Sequence, residues 1–142
     1  MPAASRVRIR ELGHVSLFVR DLEASRRFYR DVLGLTEVET FEGPDGRGVV
    51  LDAGRATLEL LDEAEAARVD ELEVGRRVAG HIRLALEVGD SAATTERLAA
   101  AGATVLGPPK PTPWGHVNAR VAAPEDLQLT LFSPEEAGGG RA

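Results

Sequence analysis

The chain has 142 residues, of which 43% are hydrophobic and 28% charged, with a formal net charge of −6. That is one domain's length, enough to bury roughly 70% of the surface the unfolded chain exposes, and its acidic balance argues against nucleic acid, which is met by a basic face. The absence of cysteine excludes disulfides and thiolate metal sites. No apolar run approaches membrane-spanning length, and Met1 to Arg6 lack a signal peptide's apolar region. The expectation is a cytoplasmic protein with no membrane partner.

Aromatic residues make up only 4%, so the core must be mostly Leu, Val and Ala. Residues 1–10 lead into a first strand at about 12–19. Strand side chains alternate, so His14, Ser16 and Phe18 share one face and Val15, Leu17 and Val19 the other. Asp21 is placed as a helix N-cap, and Leu22, Phe28, Tyr29, Val32 and Leu33 follow as a helical apolar stripe. Gly34 stands just past that helix, where a left-handed residue is needed. Strands are expected at Leu35 to Phe41, Val49 to Ala53 and Ala56 to Leu61. Residues 42–48 form a hairpin loop with Asp45-Gly46 as the turn signal, and Gly54-Arg55 a tight turn. On the last strand Thr57, Glu59 and Leu61 share a face. The unit reads β-α-β-β-β.

Residues 62–79 are acidic and read as a linker holding a short helix at 63–72. A second copy then begins. Gly80-His81 repeats Gly13-His14 at a distance of 67 positions, close to half of the chain. His81, Arg83, Ala85 and Glu87 share one strand face. Asp90 or Ser91 caps a helix over about 91–101, and Gly102 ends it as Gly34 ended the first. Ala103 to Leu106 is a strand. Pro108 to Pro113 is a stiff loop, because proline fixes φ and blocks a central strand. Val117 to Ala122 and Leu127 to Phe132 are strands around a turn at 123–126, and a disordered tail occupies 134–142. The fold class is therefore α+β: two βαβββ modules, about 10–61 and 80–133 of a single domain, forming a curved mixed sheet around a cavity.

The aliphatic strand faces must bury against the helices. The opposite, concave face then carries His14, Glu59, His81 and Thr130. Two imidazoles and one carboxylate suit a divalent transition metal with open positions for water and substrate. His14, Glu59 and His81 are the candidate ligands, and Ni, Zn, Fe and Mn are not distinguishable. A histidine opening a strand can equally be a hydrogen-bonded structural residue, and the repeat is what favours the metal. Arg83 and Arg120 face inward by parity, either to take an anionic substrate by a guanidinium fork or to pair with Glu87 or Glu59. Trp114, His116 and Asn118 follow the proline loop and could line the cavity rim as substrate contacts, with Trp114 alternatively a packing anchor. Arg26, Arg27 and Arg30 read as a solvated helix face.

The chain resembles the vicinal oxygen chelate superfamily, which holds glyoxalase I, methylmalonyl-CoA epimerase, extradiol dioxygenases, fosfomycin-resistance transferases and bleomycin-resistance proteins. The resemblance rests on Gly13-His14-Val15, Val19-Arg20-Asp21-Leu22, Ser25 to Tyr29 and Val32-Leu33-Gly34-Leu35. Gly80-His81-Ile82, Ala123 to Asp126 and Leu129 to Phe132 extend it over about 12–133. The resemblance implies a metal set on His14, Glu59, His81 and the position of Thr130, where metal-binding members carry a glutamate. Ala123 and Asp126 likewise replace the aspartate and glycine of that closing motif.

Two functions follow. The first is a glyoxalase-like, metal-dependent lyase or isomerase acting on a small, anionic oxygenated metabolite through an enolate or oxyanion, with Glu59 as ligand or catalytic base. The second is a metal-free small-molecule or antibiotic-binding protein of the bleomycin-resistance type. The resemblance also implies a homodimer.

Overall fold

The computed structural model describes residues 7–124 and 127–135. The expected turn residues Glu125 and Asp126, and the tail beyond Glu135, lie outside them. Eight strands form one curved, unclosed sheet in the order β2-β3-β4-β1-β5-β8-β7-β6. They are β1 Ile9–Val19, β2 Thr36–Gly43, β3 Gly46–Asp52, β4 Thr57–Asp62, β5 Ile82–Val88, β6 Val105–Pro111, β7 His116–Ala122 and β8 Gln128–Pro134. Both modules of the one chain thus share a sheet. Antiparallel β1 and β5 meet at its centre, and each module closes with a parallel pair, β1 with β4 and β5 with β8.

Two helices cover the outer face. The first, α1, runs over Leu22–Arg26 and continues as a π-helical turn over Arg27–Val32. The other, α3, spans Ser91–Ala100. Each opens on an aspartate whose carboxylate accepts a backbone N–H, Asp21 from Ala24 and Asp90 from Ala93, both at 3.0 Å. Leu22 of α1 packs on Val49, Leu51 and Leu60 of the sheet, and under α3 lie Val88, Val121 and Leu131. These are the aliphatic strand faces that parity assigned to the core. Arg26 and Arg30 are not simply solvated. Both donate to Glu37, which ties the first helix to β2.

The proline run corrects the expected loop. Pro108 to Pro111 lie within β6, which pairs with β7 through two register shifts. An edge strand tolerates prolines because one row of its N–H groups has no ladder partner to satisfy. The hairpin turn also falls one residue early, on Pro44-Asp45 between paired Gly43 and Gly46. Pro134, expected to open the tail, belongs to β8, and the Glu135 N–H donates to the Gly115 carbonyl.

The expected linker helix is α2, Glu63–Glu73, capped by Asp62. It buries Glu65, Ala66, Val69, Asp70 and Glu73, a stripe on the 3.6-residue period that mixes carboxylates with apolar side chains. Asp70 Oδ1 accepts from Arg120 Nη1 of β7 at 2.8 Å. Its Oδ2 accepts the N–H groups of Val78 and Ala79 at 2.7 Å and Arg77 Nη1 at 3.1 Å. Burial opposes ionisation of Asp70, but the Ala79, Arg120 and Val78 hydrogen bonds outweigh it and hold its pKa below the ordinary 3.8.

Asp70→Asn keeps the shape, removes the charge and turns an amide N–H toward Arg120 or toward two backbone donors. Breaking one side of a buried pair costs about 3–5 kcal/mol, to be read as a lower urea midpoint at neutral pH. A loss under about 1 kcal/mol, the size of an ordinary surface change, would show that the charge is not structural. The folded pKa is depressed, so this contribution is complete above pH 3.8 and is lost as pH falls through the folded value. Stability of the variant should therefore fall less steeply than wild type in that acid range.

Candidate active site

A cavity of about 640 Å³ lies between the concave face and α2. His14 of β1 and Glu59 of β4 meet on its wall, Nε2 to Oε1 at 3.3 Å. They can meet because β1 and β4 are parallel with His14 opposite Thr57 and Ser16 opposite Glu59, so three residues of one parity form a patch. Ser16 is fully buried, and its Oγ donates to the same Glu59 Oε1 at 2.7 Å. Burial pushes the His14 pKa down from 6.5. The Glu59 carboxylate opposes that shift, and Arg83 adds to it. His14 is therefore a neutral imidazole at pH 7.

Arg83 of β5 joins the same patch through Ser16. It lies opposite Ser16, and its Nη2 donates to Ser16 Oγ at 3.2 Å. Its Nη1 stands 3.8 Å from Glu73 Oε1, beyond hydrogen-bonding distance. Nε and Nη1 are buried donors with no hydrogen-bond partner. Burial, and then the Arg120 charge, push its pKa down, but a guanidinium stays charged in proteins.

The other expected contacts divide. Trp114 (43% exposed), His116 and Asn118 all line the cavity. The His116 ring stacks on Phe132 at 4.9 Å between centroids. Asn118 Nδ2 donates to Glu73 Oε2 at 2.8 Å. Arg120 does not reach the cavity wall. Its Nη1 donates to Asp70 and Gln128 and its Nη2 to Glu73, at 2.6–2.8 Å. Its expected partners, Glu59 and Glu87, are thus replaced by carboxylates of α2, and its charge is spent on holding that helix.

His81 is also placed elsewhere. It precedes β5, is exposed, and does not line the cavity. Its carbonyl accepts the Phe18 N–H. The physical reason is register. The capping aspartates Asp21 and Asp90 are 69 positions apart, whereas the two histidines are 67 apart. At 69, the counterpart of His14 is Arg83. Strand pairing agrees: Glu59 stands two residues beyond the partner of His14, and Thr130 two beyond the partner of Arg83. The glycines differ as well. A Cβ on Gly13 would stand 2.5 Å from Phe132 Cζ, whereas one on Gly80 would meet nothing within 4 Å. Gly13 is demanded by packing on the site, and Gly80 is not.

The donor set follows from this. His14 and Glu59 are adjacent, but the third expected ligand is outside and Thr130 offers only a hydroxyl. Among the described residues no three of His, Asp and Glu are grouped so that they could hold a metal ion. The residues present do not fit a three-ligand metal centre. Sequence parity did not find Ser16 as the link between Arg83 and Glu59, Phe132 between the two imidazoles, or Glu73 from the helix. Asp70 and Glu73, spaced i,i+3, were the available signal for two carboxylates on one helix face.

Comparison with known proteins places this geometry. The model of the Glyoxalase/Bleomycin resistance protein/Dioxygenase superfamily matches residues 11–131. A lactoylglutathione lyase of Haemophilus influenzae is 32% identical over 134 residues, covering 92% of this chain and 97% of that protein. Among solved structures, methylmalonyl-CoA epimerase from Mycobacterium tuberculosis shares the fold with a TM-score of 0.70 at 20% identity, covering 99% of this chain and 97% of its own. A Streptomyces coelicolor methylmalonyl-CoA epimerase in complex with 2-nitronate-propionyl-CoA does so at 0.66 and 21% identity, over 91% of this chain and all of that one. An eight-stranded sheet built from two βαβββ modules, a match over most of its length and a curated relative above 30% identity together show that this chain belongs to the glyoxalase/bleomycin resistance/dioxygenase superfamily.

Proposed function

We propose that the protein is a glyoxalase-like lyase or isomerase that moves a proton next to a carbonyl in a small, anionic oxygenated metabolite. The observation that carries this is the contact of His14 and Glu59 in a cavity whose one under-coordinated cation, among the described residues, is Arg83. The 32% identity to a lactoylglutathione lyase supports the class of reaction.

In this reading Glu59 is the base. Its Oε1 takes both the Ser16 and the His14 contact, which leaves Oε2 for the substrate. The C–H bond breaks, its proton passes to Oε2, and its electron pair moves into the carbonyl to give an enolate. Return of the proton to the opposite face of the same carbon epimerises the compound. Where that carbon carries a hydroxyl, the hydroxyl proton passes to the former carbonyl oxygen, the former carbonyl carbon takes the proton from Oε2, and the compound is isomerised. His14, neutral at pH 7, orients the carboxylate without protonating it. Trp114, His116 and Asn118 position the rest of the molecule. No step is routed through a metal, because the donor set does not fit one.

A binding protein of the bleomycin-resistance type is the second reading. The aromatic wall of Phe132, His116 and half-exposed Trp114 favours it, since such a wall can hold a flat ligand without any chemistry. Solvent exchange separates the two. A panel of small α-hydroxy and α-carboxy carbonyl compounds, S-lactoylglutathione among them, is incubated with protein in D₂O and followed by NMR. The enzyme reading expects deuterium at the carbon next to the carbonyl of at least one compound. Glu59→Gln should lower that exchange by about 10²–10⁴-fold, the usual worth of a positioned base. Tight binding without exchange across the panel would leave the binding protein.

A homodimer belongs to the same proposal. Phe28, Val32, Leu33 and Val38 are large apolar side chains, each at least 49% exposed, that a second copy would cover. Light scattering should give twice the 15.1 kDa chain mass. A monomer at micromolar concentration would remove this part of the proposal.

A further inference from the structure

We propose that Arg83 is the resident cation of this site: its guanidinium occupies the second module's counterpart of the His14 position and binds the substrate's carboxylate or enolate oxygen, so that the site works without a divalent metal. The inference deepens the lyase or isomerase reading and rests on it for the identity of the oxygen bound.

Three observations carry it. The first is position. The 69-residue repeat set by the capping aspartates maps His14 onto Arg83 and Ser16 onto Ala85, and the central strand pair sets His14 opposite Ala85 and Ser16 opposite Arg83. The repeat therefore exchanges the two pairs. Where a symmetric metal centre would take its second imidazole, this chain has a fixed positive charge. A guanidinium beside His14 and Glu59 would repel a divalent cation and does part of that cation's electrostatic work.

The second observation is the unspent donors. Arg83 is 4% exposed, yet its Nε and Nη1 have no partner. Arg120, fully buried, also has an unpartnered Nε, but both of its Nη atoms are engaged and it does not line the cavity. Buried donors without partners are rare in folded proteins and call for an explanation. Nε and one Nη form the edge of a guanidinium that takes the two oxygens of a carboxylate, or an enolate oxygen and its neighbour.

The third is the company these donors keep. Thr130 Oγ1 and Asn118 Oδ1 are also buried and unpartnered, and both residues line the same cavity as Arg83. A ligand with an anionic oxygen to accept from Arg83 and Thr130, and a hydroxyl to donate to Asn118 Oδ1, would satisfy all three side chains. During proton abstraction by Glu59, the electron pair released from the C–H bond comes to rest on the carbonyl oxygen, and Arg83 neutralises it there. No oxidant or further reactant is required.

The test uses malonate as the anion probe and EDTA-treated protein. Calorimetry at neutral pH should show wild type binding malonate equally well with EDTA and with added Ni²⁺ or Zn²⁺. Arg83→Lys keeps the charge but loses the fork, and should bind at least about tenfold more weakly with its circular dichroism unchanged. Co²⁺ titration should give wild type no ligand-field absorption band. The Arg83→His/Thr130→Glu variant, which restores the same residue types in both modules, should gain one. The wild-type measurements decide the matter even if that variant does not fold. Malonate binding that EDTA abolishes, or a stoichiometric Co²⁺ band in wild type, overturns the proposal, as does unchanged binding by Arg83→Lys. Anion binding in EDTA without solvent exchange on any substrate sinks the enzyme reading and leaves the Arg83 site standing. Exchange that requires added metal does the reverse.

Discussion

Two carboxylates buried on one helix face govern this structure. Asp70 and Glu73 of α2 are both 2% exposed or less, beneath the concave side of the sheet. Ions removed from water must be paired and fully hydrogen-bonded, or the cost of desolvation is not met. Arg120 supplies one charge, reaching Asp70 and Glu73 together, and the backbone N–H groups of Val78 and Ala79 complete Asp70. That pairing anchors the helix between the modules and fixes the path of the chain into β5. It also consumes Arg120. Glu73 is then shared among Arg120, Asn118 and, at longer range, Arg83, so the second arginine keeps donors in reserve. A structural pairing thus decides which cation remains for a ligand.

The sheet itself was largely legible from the sequence, because its signals are local. Alternation along β1, β4, β5 and β8 gave the inward faces correctly, and Asp21, Asp90, Gly34 and Gly102 bracketed the outer helices. One element escaped, and another was legible only as a helix and not in its packing. The proline run was read by intrinsic preference as a loop, but an edge position removes the penalty that makes proline hostile to sheets. Helix α2 is legible at 63–72, but its buried face is not, because that stripe contains Glu65, Asp70 and Glu73. Hydrophobic periodicity cannot see a buried face whose partners are arginines in distant strands.

The cavity lining was legible in part for a related reason. His14, Glu59, Arg83, Trp114, His116 and Asn118 line the cavity, while His81 and Arg120 do not. The error in His81 is one of alignment. A repeated dipeptide, Gly-His, sets the copies 67 apart, and the helix caps set them 69 apart. Side chains on a strand alternate, so an error of two residues keeps the face and changes the place. His81 and Arg83 have the same parity, and parity alone could not choose between them. A cap is the better anchor because its geometry ties a sequence position to the end of an element, whereas a dipeptide can recur by chance. The packing against Gly13, absent at Gly80, is the physical sign that only the first Gly-His is part of the site.

Ser16 gives the site a direction. Its hydroxyl has one proton, which it donates to Glu59 Oε1 at 2.7 Å, so the lone pairs face Arg83 Nη2, a donor, at 3.2 Å. The chain Arg83–Ser16–Glu59 is therefore polarised, positive at β5 and negative at β4, within a buried patch where such interactions are stronger than in water. Neutral His14 does not disturb that polarity, since burial and the Arg83 charge both resist its protonation. In the reaction proposed above, a substrate lying along this axis meets the Glu59 carboxylate at one end and a fixed positive charge at the other. Abstracting a proton and stabilising the oxygen that receives its electrons require this separation, because the two groups would otherwise neutralise each other in direct contact. The intervening serine, the smallest side chain in this chain of contacts, keeps the carboxylate and the guanidinium apart, as the proposed reaction requires.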